Sequence, residues 1–272
     1  SFTVGGAVSG HNGTGLTLRL NGATNLIVGG NGVFAFGAIA DGSPYSVTVF
    51  VQPLDQTCTV ANPSGTLAGA NVVNVAVTCT INTFTVGASV TGLAGTGLVL
   101  QNNLGNNLSV SASGTFTFST RIAAGSPYAV TVLTQPSAPT QTCTVISGSG
   151  TVGSANVTVN VVCATNTYFI GVTVSGLSTA GTTTGVVLQN NGLDNKTVTT
   201  NSTSNFTLKI ASGAGYNVSV STQPTLPSQT CTVSAPIGTV GAADVTVNVI
   251  CATNAYFIGV TVSGLSTAGT TT

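Results

Sequence analysis

The stretch Gln141-Thr142-Cys143-Thr144-Val145, followed by Asn156-Val157-Thr158-Val159-Asn160-Val161-Val162-Cys163, decides the fold class. In its second part Val157, Val159, Val161 and Cys163 fall on one side, and Asn156, Thr158 and Asn160 on the other. An alternation with a period of two marks a strand that buries one face. The same pattern recurs earlier as Val73, Val75, Val77 and Cys79. Working outward, Gln56-Thr57-Cys58-Thr59-Val60 and Gln229-Thr230-Cys231-Thr232-Val233 repeat the first part. Gly42-Ser43-Pro44-Tyr45-Ser46-Val47 returns as Gly125-Ser126-Pro127-Tyr128-Ala129-Val130 and, more loosely, as Gly213-Ala214-Gly215-Tyr216-Asn217-Val218. Phe2-Thr3-Val4-Gly5 returns as Phe84-Thr85-Val86-Gly87 and Tyr168-Phe169-Ile170-Gly171.

The period is about 82 to 88 residues, which suits a small autonomous domain better than a solenoid unit. Repeats are expected at 1–81, 82–165 and 166–253, with 254–272 opening a further copy. Repeat two reads as seven strands near 83–91, 96–102, 107–112, 115–120, 127–134, 141–146 and 155–163. Asn31-Gly32 and Ser113-Gly114 suit two-residue hairpins. Seven short strands without a helical period indicate an all-β chain of tandem seven-stranded Ig-like β-sandwich domains.

Composition supports this reading. Charged residues make up 3% of the 272 residues, against about 25% in an ordinary soluble domain. They are Arg19, Arg121, Lys196, Lys209, Asp41, Asp55, Asp194 and Asp244; there is no Glu. Thr, Val, Ser, Asn and Gly, residues of strands and turns, take the place of helix formers. A net charge of zero excludes the basic cluster that nucleic acid requires, so no nucleic-acid partner is expected. No apolar run approaches the roughly 20 residues of a spanning helix, so no membrane insertion is expected either. No basic segment followed by an apolar one opens the chain, so any leader is expected to lie outside it.

Six cysteines fall two to a repeat: Cys58 and Cys79, Cys143 and Cys163, Cys231 and Cys251. Equivalent domains make equivalent bonds, so one intradomain disulfide is expected in each, joining the penultimate strand to the last. Closing a loop of that length is worth roughly 3 kcal/mol. Two thiols without a His or carboxylate in the same pattern do not complete a zinc site, so neither metal nor cofactor is expected. Disulfides place the chain in an oxidising compartment, at the cell surface or outside the cell.

A resemblance follows from Gly97-Leu98-Val99-Leu100-Gln101-Asn102-Asn103, the hairpin expected from Leu108 to Phe118 with Ser113-Gly114-Thr115-Phe116, and Gly125-Ser126-Pro127-Tyr128 before a Val-Thr-Val strand. The chain resembles the tandem Ig-like repeats of very large bacterial surface proteins, and is similar to prealbumin-like and collagen-adhesin B-type sandwiches. The resemblance implies an extracellular bacterial setting. The Lys–Asn isopeptide bond of the B-type domains does not carry over, because repeats one and two hold no Lys and the chain holds no Glu.

Few residues offer chemistry. His11, the single histidine, stands where repeats two and three have Leu93 and Leu177, and reads as an exposed loop residue, not a general base. Asp194-Asn195 falls short of the six to eight oxygens of a calcium site and reads as a polar turn. Gly29-Gly30-Asn31-Gly32 lacks the following helix of a phosphate loop. Tyr45, Tyr128 and Tyr216 recur before a Val-rich strand and read as packing residues. Asn-x-Ser/Thr sequons at Asn12, Asn107, Asn156, Asn195, Asn201, Asn205 and Asn217 matter only if the source glycosylates secreted proteins. No enzymatic activity is expected.

Only Thr80, Ile81, Asn82 and Thr83 separate Cys79 from Phe84, and the second joint is as short, so a stiff rod is expected. Residues 254–272 copy 166–184 with one change, Thr167 to Ala255, and present Tyr256, Phe257, Ile258 and Val260 as an interaction strand. That segment either continues a longer array or docks on a neighbouring chain. The function these features point to is a structural subunit of an extracellular bacterial filament, stalk or surface layer, with copies of itself as partners, head to tail or laterally. The alternative is an adhesin whose loops, such as Ala180 to Thr184, contact a cell surface, with a glycan as candidate partner.

Overall fold

The structure, a computed structural model, describes residues 1–12, 15–178 and 184–265. The chain divides into two compact units, Ser1–Pro136 with Thr142–Ala164, and Ser137–Gln141 with the chain from Thr165 on. Three separate hydrophobic cores, one per repeat, lie within them.

Repeat one contains β1 (Val4–Ser9), β2 (Leu16–Leu20), β3 (Thr24–Val28), β4 (Gly32–Ala35), β5 (Pro44–Val51), β6 (Gln56–Ala61), β7 (Ser64–Thr66) and β8 (Val72–Ile81). They form two four-stranded sheets, β4-β1-β8-β6 and β3-β2-β5-β7. All neighbours are antiparallel except β1 and β8, which run parallel. Repeats two and three have the same order. Val4, Val8, Val75 and Val77 from one sheet and Leu16, Leu18 and Val47 from the other are all buried. Each such side chain contributes about 1.5–3 kcal/mol on leaving water. This is the all-β, Ig-like sandwich expected from the alternation.

All seven strands expected in repeat two are present, and two short ones are added: Ile122–Ala123, paired with Thr83–Phe84, and Ser149–Thr151 at the edge of the second sheet. Its middle residue, Gly150, lies opposite Tyr128. Tyr45 and Gly65, and Tyr216 and Gly238, pair in the same way. A Cβ on Gly65, Gly150 or Gly238 would come within 2.8, 2.8 or 2.5 Å of the facing tyrosine oxygen. The short strand is therefore a shelf for the tyrosine ring, which packs against the core as expected.

The turns at Asn31-Gly32 and Ser113-Gly114 do not make hairpins. β3 and β4 belong to different sheets, as do Asn106–Val110 and Gly114–Thr117, so the chain there, and across the segment Leu108 to Phe118, crosses from one layer to the other. A turn dipeptide fixes where the chain reverses, not which strand it pairs with. The hairpins join β2 to β3 and its equivalents instead, each through three residues. Asn21 (φ 48) with Gly22 (φ 71), and Asn191 (φ 50) with Gly192 (φ 72), take left-handed conformations there, and Asn103 with Leu104 does so without glycine.

Disulfides join Cys58 to Cys79, Cys143 to Cys163 and Cys231 to Cys251. Each links directly opposed residues of neighbouring strands in one sheet, and the first of those strands is followed by the short extra strand. The first cysteine lies on an edge strand, and a glutamine completes its backbone bonding. Gln52 Nε2 donates to Cys58 O (3.1 Å) and Cys58 N donates to Gln52 Oε1 (2.7 Å); Gln135 and Gln223 repeat this at Cys143 and Cys231. The second cysteine is approached by Gly10, Gly92 or Gly176, at φ +72, +72 and +73. A Cβ on any of them would run into the carbonyl oxygen of Cys79, Cys163 or Cys251. Left-handed backbone and close approach together demand glycine.

This packing is open to test at both glycines. Gly176→Ala should lower the stability of the third sandwich by about 2 kcal/mol or more, moving one calorimetric transition down while the others stay in place. Gly150→Val should destabilise the second sandwich, and Tyr128→Ser should recover part of that loss, a coupling that a double-mutant cycle in urea would read.

Candidate assembly site

The side chains with chemical potential are tied into the folds. His11 is 4% exposed, not an exposed loop residue. It plugs the end of the first sandwich where Leu177 is buried in the third. Its backbone N donates to Asn31 Oδ1 (2.7 Å), Nδ1 lies 3.3 Å from Gln56 Oε1, and Nε2 is buried without a partner. Asp41 accepts from Gly69 N, Asp194 from Leu208 N and Asp244 from Phe169 N. Asn195 accepts from Gln189 Nε2, so Asp194-Asn195 is occupied by its own hairpin. Asp55 takes a left-handed φ of 62°. Arg19 lies 3.1 Å from the centre of the Phe50 ring and Lys209 Nζ 4.6 Å from that of Phe169. Among the described residues no three His, Cys, Asp or Glu gather as a metal site, and no helix is long and apolar enough to cross a membrane. Of the loop Ala180 to Thr184, residues 180–183 lie outside the described residues.

What recurs instead is a joint. In the first unit β8 ends at Ile81 and the next strand opens at Thr83, leaving Asn82 between them. Asn82 N donates to Asp55 O (2.8 Å), Asn82 Oδ1 accepts from Thr57 Oγ1 (2.7 Å), and Asn82 O accepts from Ala124 N (2.9 Å). The first two partners belong to repeat one and the third to repeat two. Arg121 Nε also donates to Thr83 Oγ1 (2.9 Å), and its Nη2 to Thr83 O. A shallow cavity of about 300 Å³ beside the joint is lined by Asp55, Gln56, Ile81 and Ala124 among others.

The second unit contains the same device around Asn166, whose N donates to Thr140 O (3.0 Å) and whose O accepts from Ser212 N (2.9 Å). Thr140 N donates to the buried Ser212 Oγ (3.0 Å), and Thr140 Oγ1 lies 3.2 Å from Tyr168 Oη. Asn254 reproduces one half of it: N to Ser228 O (3.0 Å), Thr230 Oγ1 to Oδ1 (2.8 Å) and Nδ2 to Ser228 Oγ (2.9 Å). Tyr256 Oη lies 3.0 Å from Ser228 Oγ. Beyond it Tyr256, Phe257, Ile258 and Val260 are exposed and belong to no strand.

Sequence reading missed the joint asparagine and the Gln52, Gln135 and Gln223 clamps. Both carried a signal: an Asn two residues before each Phe84, Tyr168 or Tyr256, and a Gln-Pro pair ahead of each first cysteine. They were polar residues in a chain full of them, and only their recurrence set them apart.

The fold defines a tandem of Ig-like β-sandwiches, each with one disulfide. No family model and no curated protein matches the chain. Among solved structures the fold is that of the Bacillus anthracis TIE protein, at TM-score 0.54 and 8% identity over 92% of this chain and 50% of that one. Two B repeat units of the collagen binding protein of Staphylococcus aureus also match (TM-score 0.25, 13% identity, 93% of this chain, 76% of that one). So does the pilus adhesin SpaC from Lactobacillus rhamnosus GG (TM-score 0.27, 10% identity, 92% and 44%). The chain spans half the length of the TIE protein.

The joint is testable in solution. Asn82→Pro removes the donor to Asp55 O, and should leave both flanking sandwiches folded while loosening them from one another. Backbone ¹⁵N relaxation should then report two tumbling bodies in repeats one and two where the parent protein reports one.

Proposed function

We propose that the chain is a structural subunit of an extracellular bacterial filament, stalk or surface layer, with copies of itself as partners. The observation that carries this reading is the joint. In the first unit one asparagine, Asn82, ties the tail of the first sandwich to the head of the second through both of its backbone polar groups, and Asn166 makes the equivalent bonds within the second unit. Such joints suit a load-bearing array and serve no need of a catalyst. Three disulfides fit an oxidising exterior.

The sheet faces support lateral association. On the outer face of the third sandwich Thr173 lies between Thr203 and Asn248, with the two threonine hydroxyls 2.9 Å apart. Hydroxyl and amide groups can be buried against a like face once their hydrogen bonds are exchanged, with no ion to strip of water. Electron microscopy of native material, isolated without refolding, tests the proposal. Fibres whose axial repeat equals a whole number of sandwiches are expected; single short particles at every concentration would overturn it.

A further inference from the structure

The joint of the first unit and its counterpart in the second share their backbone bonds and differ in their side chains. In the second unit Thr140 N donates to Ser212 Oγ (3.0 Å), and Ser212 Oγ donates to Gly241 O (2.7 Å). Thr140 Oγ1 lies 3.2 Å from Tyr168 Oη, so each of these three hydroxyls has a partner. The repeat places Asp55 where Thr140 stands, Phe84 where Tyr168 stands and Ala124 where Ser212 stands. The first joint therefore lacks two of the hydroxyls and carries a carboxylate in place of the third.

Asp55 bears the consequence. Its Oδ1 is buried without a hydrogen-bond partner. Buried polar atoms are nearly always paired, and a carboxylate oxygen withdrawn from water without a donor is costly. The backbone fixes the residue there, with φ at 62° and Asp55 O accepting from Asn82 N (2.8 Å). The groups nearby are committed elsewhere. Gln56 Nε2 donates to Gly10 O (2.7 Å), and Gln56 Oε1 accepts from Asn12 N (2.8 Å). Arg121, the cation of this joint, donates to Thr83. Asp194 differs in this respect, because Leu208 N donates to its Oδ2 (2.7 Å).

The cavity of about 300 Å³ beside the joint is bordered by Asn12 and Asp55 of repeat one and by Ala124 and Gly125 of repeat two, all within the first unit. Its volume equals that of roughly ten water molecules. Asn12 can add an amide oxygen, while Leu54, Ala124 and Gly125 offer only backbone polar groups. No imidazole or thiol borders the space, which disfavours zinc and softer metals. One carboxylate among neutral oxygens suits calcium, which takes six to eight oxygen ligands in a flexible geometry and admits water among them. Magnesium demands a near-ideal octahedron and gives up its water reluctantly.

We infer that Asp55 and this cavity bind a calcium ion, with water completing its shell. The ion supplies the first joint with the positive partner that Asp55 lacks, and it bridges repeats one and two where neutral hydroxyls serve the second unit. A site with one carboxylate is weak, with a dissociation constant on the order of 10⁻⁴–10⁻³ M, the range of extracellular calcium modules. The inference does not depend on whether the chain assembles.

The test is a titration of the ¹⁵N-labelled full chain with calcium chloride at constant ionic strength. The amides of Leu54, Asp55, Gln56, Ala124 and Gly125 should shift on one saturable curve, with those of Thr140 and Ser212 unmoved. Asp55→Asn keeps a residue that tolerates the left-handed φ and should weaken binding by about tenfold or more. Asp55→Thr with Phe84→Tyr and Ala124→Ser builds the hydroxyl set of the second unit into the first, and should abolish binding with every sandwich folded. Magnesium chloride should bind far more weakly. Shifts that stay linear up to about 20 mM calcium, well above the expected range, would overturn the inference. So would a saturable response that survives unchanged in the triple variant, or equal affinity for magnesium.

Discussion

In each sandwich the opening strand lies parallel beside the closing strand, and most other features depend on that pairing. Parallel neighbours start at the same end and finish at the same end. The chain therefore enters a domain at one pole and leaves at the other, and a single residue, Asn82 or Asn166, suffices to begin the next domain. Antiparallel termini would place entry and exit at one pole and require a long return. Beside the pair lies the strand of the first cysteine, so each disulfide fastens the closing strand from its other side.

The scarcity of ions has a structural counterpart. Asp41, Asp194 and Asp244 each accept a backbone N–H, and Asp244 takes the place that Asn71 and Asn156 hold in the other repeats. That bond lies where the opening strand changes sheets, between Phe84 and Val86 in repeat two. A neutral amide serves there as well as a carboxylate. The acids are thus parts of the fold, and the surface is left to hydroxyls and amides.

Much of the architecture was legible because it rests on alternation and recurrence. Val157, Val159, Val161 and Cys163 announce their buried face, and the repeat removes the ambiguity of six cysteines. What escaped depends on distant geometry. Nothing local in Asn31-Gly32 tells a hairpin from a crossing between layers. The strand Ser149–Thr151 is too short to show a period, and exists because Gly150 leaves room for Tyr128. His11 is polar and lies in a loop, yet the pole of the sandwich needs a plug and receives it there. The joints failed to register because an asparagine using its backbone looks like any other asparagine.

The paired terminal strands also set how the protein meets tension. A pull along the array enters β1 at one pole and leaves β8 at the other, so it slides the two strands lengthwise past each other. Their ladder from Val4 to Ser9 must then yield together, where a peeled hairpin opens one bond at a time. Should it yield, the segment between Cys58 and Cys79 stays looped behind the disulfide and adds nothing to the extension. The bridge thus takes the loop from Cys58 to Cys79 out of the domain's travel and leaves the longer run from Val4 to Cys58 to extend.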